Sequence, residues 1–486
     1  MNTYIGIDLG TSSVKLLLVG ADGQIINSIT KECPIFYPQS GWSEQNPEDW
    51  LKATVDGMDE LLNGHNRYEV KGISFGGQMH GLVLLDEEDN VIRPAILWND
   101  GRTQKQTEYL NTIIGQERLS QYTANIAFAG FTAPKVLWVK ENEPENFASI
   151  AKIMLPKDYL AYKLTGVHST DYSDASGMLL LDVQNKCWSK EMCKICSVDE
   201  KWLPQLFESY EWIGQVRDEY NLPNAIVMAG AGDNAAAAIG TGTIKNGACN
   251  ISLGTSGTVF IAQDAFSVDK NNALHSFAHA NGKYHLMGCI LSAASCNKWW
   301  MEEILHTQEF ANEQEGLETY LGNNEVFFLP YLMGERSPHN DVNARGCFIG
   351  MRPDTTRKQM TLAVMEGVAF ALRDCIEVAK ANGLTISATS VCGGGAKSDT
   401  WKKIISNVFG VPVYALSMQE GPAYGAAMLA MVGTKEYGSL EEIADKFITV
   451  ETVVYPQEEL IEKYEKRYRY FRKLYPALKA VFAQVE

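Results

Sequence analysis

The tetrapeptide Leu-Gly-Thr-Ser occurs twice, at 9–12 within YIGIDLGTSSVKLLLV (Tyr4–Val19) and at 253–256 within NISLGTSGTVFIA (Asn250–Ala262). Both copies join two runs of strand-forming residues, so each reads as a tight turn between antiparallel strands. Four matching residues could arise by chance; the shared context carries the weight, because a third strand and then strand–helix alternation follow each hairpin. The repeat predicts two related lobes, 1–245 and 246–486, each an α/β sheet with helices packed on it.

In the first half, Thr3–Asp8, Val14–Val19 and Gln24–Ser28 read as an antiparallel meander, separated by LGTSS and ADG. NPEDWLKATVDGMDELL then starts a helix, with Asn46 as cap, Pro47 at the first helical position and Glu48 and Asp49 in the first turn. VKGISF and RPAILW read as further strands. In the second half ACNISL, TVFIAQ and KYHLMGCIL are three strands. ATSVCGGGAKSDTWKKIISNVFG is strand, glycine turn and helix, VPVYAL a strand, and PAYGAAMLAMVG a small-residue helix.

The net charge is −17, from 42 basic and 59 acidic residues. Such a field repels nucleic acid and anionic membrane, so an anionic ligand must be held by local devices such as backbone N–H groups or a metal. No apolar run approaches the roughly 18 residues of a membrane span, and a strand already begins at residue 4, so neither a signal peptide nor an upstream DNA-binding domain is expected. The ten cysteines are scattered, as expected of reduced cytoplasmic thiols. Cys193 and Cys196 have CxxC spacing but no second pair, which favours a plain helix surface over a metal or redox site.

Phosphates need many N–H donors close together, and small residues let them approach the backbone. Gly10, Thr11, Ser12 and Ser13 supply such donors and three hydroxyls, and Asp8 beside them suits a hydrated Mg²⁺. Gly254, Thr255 and Ser256 repeat the loop without the acid, since two opposed phosphate loops need one metal carboxylate. Tight turns with satisfied hydroxyls are the plain alternative. The run CGGGAKS (Cys392–Ser398) sits between strand and helix and reads as a nucleotide shelf or as a structural turn. In AGAGDNAAAAIGTG (Ala229–Gly242), Asp233 opens a helix, as a cap or as a general base toward a sugar hydroxyl. Met79 and His80 in SFGGQMHGLVLL, and Trp98 and Asn99 in ILWNDGR, stand at strand ends where a small polyol pocket could form.

Together these residues resemble the FGGY carbohydrate kinases, within the wider actin, Hsp70 and sugar-kinase superfamily. GIDLGTSSVK and SLGTSG resemble its two phosphate loops; GFTAPKVLWVKEN (Gly130–Asn142) and GCFIGMRPDTTRKQMTLAVMEG (Gly346–Gly367) resemble its two long signatures. The resemblance implies two lobes, each on a five-stranded mixed sheet of RNase H type, around a deep cleft. Sugar would sit on the first lobe and nucleotide mainly on the second. GQMHG, AILWNDGR, GAGDNAAAAIG and YLMGERSPHND resemble the members that phosphorylate D-xylulose at O5 with ATP and Mg²⁺. The resemblance implies Asp8 at the metal, Asp233 as base, and Met79, His80 and Asn234 at the sugar, with Trp98 and Asn99 as further pocket candidates. The nucleotide set is Thr11, Ser12, Ser13, Lys15, Gly254, Thr255, Ser256, Gly393, Gly394, Gly395, Ala396 and Lys397.

In the glycerol-phosphorylating members an Arg-Glu pair stands at Met79 and His80 and an aromatic residue at Gly130, so loss of that bulk is expected to leave room for a longer sugar. The expected partners are a small-molecule sugar and ATP, with no nucleic acid and no membrane; a homodimer is left open. The rival readings are a kinase for L-ribulose, glycerol or gluconate, an actin- or chaperone-like ATPase, and a sugar-sensing repressor. The missing DNA-binding region disfavours the repressor, and the lack of a peptide-binding domain disfavours the chaperone.

Overall fold

A computed structural model describes residues 1–417 and 420–484. Asn46 caps the helix Pro47–Leu61 by accepting from the Glu48 N–H, as the sequence signals require. Thr3–Leu9 pairs antiparallel with Ser13–Gly20, and that strand with Ile25–Glu32. On its other side Thr3–Leu9 is parallel to Val70–Gly77, which is parallel to Ile226–Met228. The second half repeats this order. Cys249–Leu253, Gly257–Gln263 and Tyr284–Ile290 form the meander, and Thr389–Cys392 and Val413–Leu416 add in parallel. The duplicated order expected from the paired hairpins is therefore present.

Each sheet has seven strands rather than five. The additions are short: Trp212–Gln215 and Ala231–Gly232 in the first, His275–Ala278 and Val450–Val454 in the second. Strands of this length carry too little alternation to be read from sequence. RPAILW also differs from expectation. Only Ala95–Ile96 is extended, and it pairs with Glu44–Gln45 outside the main sheet.

The sheets bury separate cores, one around Ile5, Leu16 and Phe75 and one around Ile251, Leu286 and Val368. One element crosses over. The helix Gly421–Gly433 follows the second sheet in sequence but packs on the first, so Tyr424 and Met428 share a core with Tyr4, Leu17 and Val19. Glycines permit the approach: a Cβ on Gly6 would stand 1.9 Å from the Ala423 carbonyl oxygen. The second half of the sequence thus contributes this helix to the packing of the first sheet.

The lobes are also stitched near the cleft. Asn125 donates to the Ser276 carbonyl at 2.9 Å and accepts from the Ser276 N–H at 3.2 Å. Cys193 and Cys196 lie in the helix Lys190–Cys196 and are buried in an apolar core, not on a helix surface; burial pushes their thiols up to about 11 and about 12. Among the described residues no group of three or more His, Cys, Asp or Glu side chains could hold a metal ion, and no helix is long and apolar enough to cross a membrane.

Candidate active site

The candidate residues of the first lobe gather at the carboxyl ends of neighbouring parallel strands, where open α/β sheets bind ligands. Asp8 ends Thr3–Leu9 and lies opposite Gly76 in register; Gly232, just before Asp233, lies opposite Gly77. Met79 and His80 follow Val70–Gly77 after the single residue Gln78. Three stretches distant in sequence therefore share one edge because three strands run parallel.

Asp233 is the first residue of the helix Asp233–Gly240, whose N-cap is Gly232. Its Oδ1 accepts from the Asn234 N–H at 2.7 Å and the Asn234 Nδ2 at 2.8 Å. Among the described residues Oδ2 has no partner, which leaves it to the cleft. Burial raises the carboxyl to about 6. Asp8 is raised to about 7, first by burial and then by the negative charges of Asp233 and Glu420, with Lys15 opposing. The charge of Asp233 thus adds to burial in raising Asp8, whereas Asp233 is raised by burial alone. An oxygen-only pair of this kind fits a hydrated Mg²⁺ better than a soft metal.

Behind Asp233 lies a buried polar support that sequence reading missed. Gly232 N–H donates to Ser173 Oγ at 3.1 Å, and Ser173 and Ser209 hydroxyls both donate to Asp171. Lys157, fully buried, lies 2.6 Å from Asp158 and 3.0 Å from Asp171. PKDYL carried part of this signal, as charges between apolar residues on either side; TDYSDASG is largely polar and gave no sign that it is buried.

His80 has φ +70°, a left-handed backbone that is strained for a side-chain-bearing residue. Its carbonyl holds that shape by accepting from Thr132 Oγ1 at 3.1 Å and Lys135 Nζ at 2.8 Å. The imidazole stacks on Phe131, with centroids 4.6 Å apart. Burial is the main cause that lowers it to about 3, so it is neutral at physiological pH. Met79 is buried beside it and packs over Gly232. Trp98 is 38% exposed and donates from Nε1 to Thr11 Oγ1 at 2.9 Å, tying its turn to the Gly10–Ser13 turn. Asn99 is exposed at the same turn. The room expected at Gly130 is filled instead: a Cβ there would meet the Trp98 carbonyl oxygen at 2.4 Å. Glycine at 130 lets the Trp98 backbone close in and does not open space.

The second lobe supplies the facing wall. The Gly254 carbonyl accepts from Ala294 N–H at 2.8 Å and the Thr255 carbonyl from Ala293 N–H at 2.9 Å, which anchors the Gly254–Ser256 turn on the helix Ala294–Trp299. Gly393 has φ +86°, and a Cβ there would lie 2.9 Å from the Leu253 carbonyl carbon and oxygen, so the glycine run presses against that loop. Two cavities share the run as a wall. One, of about 650 Å³, brings Asp233, Asn234, Gly393, Gly394, Ala396 and Lys397 together. The other, of about 1010 Å³, is lined by Thr255, Gly394, Gly395 and Lys397 with Ser295, Asn297 and Lys298. The last three were missed, although SAASCNKWW starts a helix just after a strand.

Some candidates are not brought to this wall. Ser12 and Ser13 line a separate hollow with Thr30, Glu32 and Tyr37. Lys15 is ion-paired with Glu420.

Residues 3–240 match the N-terminal domain of the FGGY family of carbohydrate kinases and residues 249–434 its C-terminal domain. The chain is 38% identical to a xylulose kinase of Bacillus subtilis, over 98% of this chain and 97% of that protein. It is 38% identical to a xylulose kinase of Escherichia coli, over 99% and 100%. The crystal structure of a xyloylose kinase from Brucella ovis superposes with a TM-score of 0.92 at 39% identity, over 99% of this chain and 100% of that one.

Proposed function

Because the chain belongs to the FGGY family of carbohydrate kinases, we propose that it transfers the γ-phosphoryl group of ATP to O5 of D-xylulose, with Asp233 as general base. The observation that carries the reading is the position of Asp233. Its unpartnered Oδ2 belongs to a residue that lines the same cavity as the glycine run Gly393–Lys397, and it follows the strand edge that carries Met79 and His80. The xylulose kinases among the relatives support the choice of sugar.

In this mechanism the adenosine occupies the larger cavity and the phosphate chain runs past Gly394 and Lys397 toward Asp233. Asp233 accepts the O5 proton as O5 bonds to the γ-phosphorus and the bond to the β-phosphate oxygen breaks, releasing ADP. His80 Nε2 and the Asn234 amide orient the sugar chain. Asp8 would hold a Mg²⁺ through its waters; when bound, that ion supplies neutralisation of charge on the phosphate chain.

The test is a coupled ADP-release assay with ATP and D-xylulose, L-ribulose, D-ribulose, glycerol or D-gluconate. Highest kcat/KM for D-xylulose is expected. Preference for any other sugar removes the D-xylulose assignment.

A further inference from the structure

The segment Glu335–Ser337 of the second lobe has no part in the mechanism above, yet it packs on the aromatic cluster beside His80. Ser337 N–H donates to the Cys289 carbonyl at 2.9 Å, and Glu335 Oε1 accepts from Leu291 N–H at 2.9 Å. These bonds fasten the segment to the end of the strand Tyr284–Ile290. Arg336, between them, is half-buried. Arg352 and Arg357, later in the chain, pair with Glu325 and Glu313, but Arg336 has no carboxylate partner among the described residues. Its guanidinium lies over the Phe128 ring, 5.3 Å from the centroid.

That ring leads to the pocket. Phe128 touches Phe131 with centroids 5.3 Å apart, and Phe131 stacks on His80. Phe128 also contacts His275 at 5.1 Å, whose Nε2 is buried without a partner. The Arg336 charge acts on His80 and on His275, and Cys289 feels both Arg336 and Asp233. A cation without a carboxylate partner thus stands on the aromatic cluster Phe128–Phe131 that packs against His80.

The chemistry of the proposed substrate supplies its use. A 2-ketopentose closes its furanose ring through O5, so O5 is a free nucleophile only in the open-chain keto form. The C2 oxygen of that form is a carbonyl, which accepts hydrogen bonds and donates none. The other site groups serve it poorly. Asp233 is an acceptor, His80 offers the Nε2 acceptor, one N–H of the Asn234 amide is held by Asp233, which leaves a single neutral donor, and Lys15 is paired with Glu420. We propose that Arg336 donates to the keto oxygen of the open-chain sugar and so selects the ketose against its reduced polyol. This rests on the D-xylulose reading above.

The experiment compares D-xylulose with xylitol, which differs only at C2, in wild type, Arg336→Ala and Arg336→Lys. Losing a charge-assisted bond should cut kcat/KM for D-xylulose about 10- to 100-fold in Arg336→Ala. The loss for xylitol should be much smaller, Arg336→Lys should recover part of the ketose preference, and added guanidinium should rescue Arg336→Ala with D-xylulose. The Arg336 side chain makes no hydrogen bond among the described residues, so the thermal midpoint should hold and report folding in each variant. Equal losses for both sugars, or no loss, overturns the proposal. So does a wild type that prefers D-gluconate and loses that preference in Arg336→Ala, because the guanidinium then holds a carboxylate. A wild type inactive on D-xylulose fails the parent reading before any variant is made.

Discussion

His80 Nδ1 lies 2.8 Å from the carbonyl oxygen of Gly177. A carbonyl only accepts, so Nδ1 carries the proton and the neutral ring keeps Nε2 as an acceptor. Gly177 must be glycine for this contact, since a Cβ there would stand 2.4 Å from the imidazole. Gly177→Ala should therefore lower kcat/KM for the sugar by displacing His80, although residue 177 need not touch substrate. His80→Ala should produce a similar loss, and nucleotide affinity should hold in both. Steady-state kinetics and nucleotide titration check this. Normal sugar efficiency in Gly177→Ala would separate His80 from recognition.

Asp233→Asn keeps the size of the side chain and removes its basicity. Turnover should fall about 10²- to 10⁴-fold while sugar affinity changes little. Comparing kcat with equilibrium binding of the sugar measures the split. Near-normal turnover would reduce Asp233 to a helix-terminal residue.

The pH profile should follow the carboxylates. Asp233 is raised to about 6 and must be ionised to accept a proton, so kcat/KM should climb as pH rises through about 6 and level off by about 7.5. His80, lowered to about 3, stays neutral over that range and adds no limb. An acid limb near pH 4 would mean that Asp233 feels a water-like environment.

Asp8→Asn should do two things. It should weaken Mg²⁺ dependence at saturating sugar, read by Mg²⁺ titration of the rate. It should also stabilise the ligand-free protein at neutral pH. A carboxyl raised to about 7 binds its proton more tightly folded than unfolded, so its charged form costs stability as pH rises from about 4 to 7. Removing the charge should stabilise by about 1–3 kcal/mol at pH 7.5 and by less at pH 5. Denaturant unfolding at both pH values checks the sign.

Gly425→Ala tests the helix crossing. Alanine favours a helix over glycine by about 1 kcal/mol. Here its Cβ would lie 1.9 Å from the Ala236 carbonyl oxygen, on the helix that begins with Asp233. Net destabilisation of about 1–3 kcal/mol is expected, with reduced turnover. Stabilisation would show that the crossing relaxes freely.

The hairpins, the Asn46–Pro47 helix start and the strand–glycine–helix run at 389–409 were legible in the chain. Each depends on turn and cap chemistry confined to a few neighbouring residues. Asp8 and Asp233 were legible for a similar reason, as acids set among small residues at element ends.

Other features have no local signature. The seating of the Gly421–Gly433 helix on the first sheet needs close approach between Gly6 and Ala423, residues at opposite ends of the chain. The filling of the Gly130 position by Trp98, the buried Lys157–Asp171 support and the lining of the larger cavity by Ser295, Asn297 and Lys298 depend on which surfaces meet. The chain alone thus carried the repeat, the two glycine-hydroxyl turns and the acids. Tertiary packing decided which of those groups share a cavity, which are held by ion pairs and which carboxyls are raised, because burial and long-range approach exist only once the sheets have closed on each other.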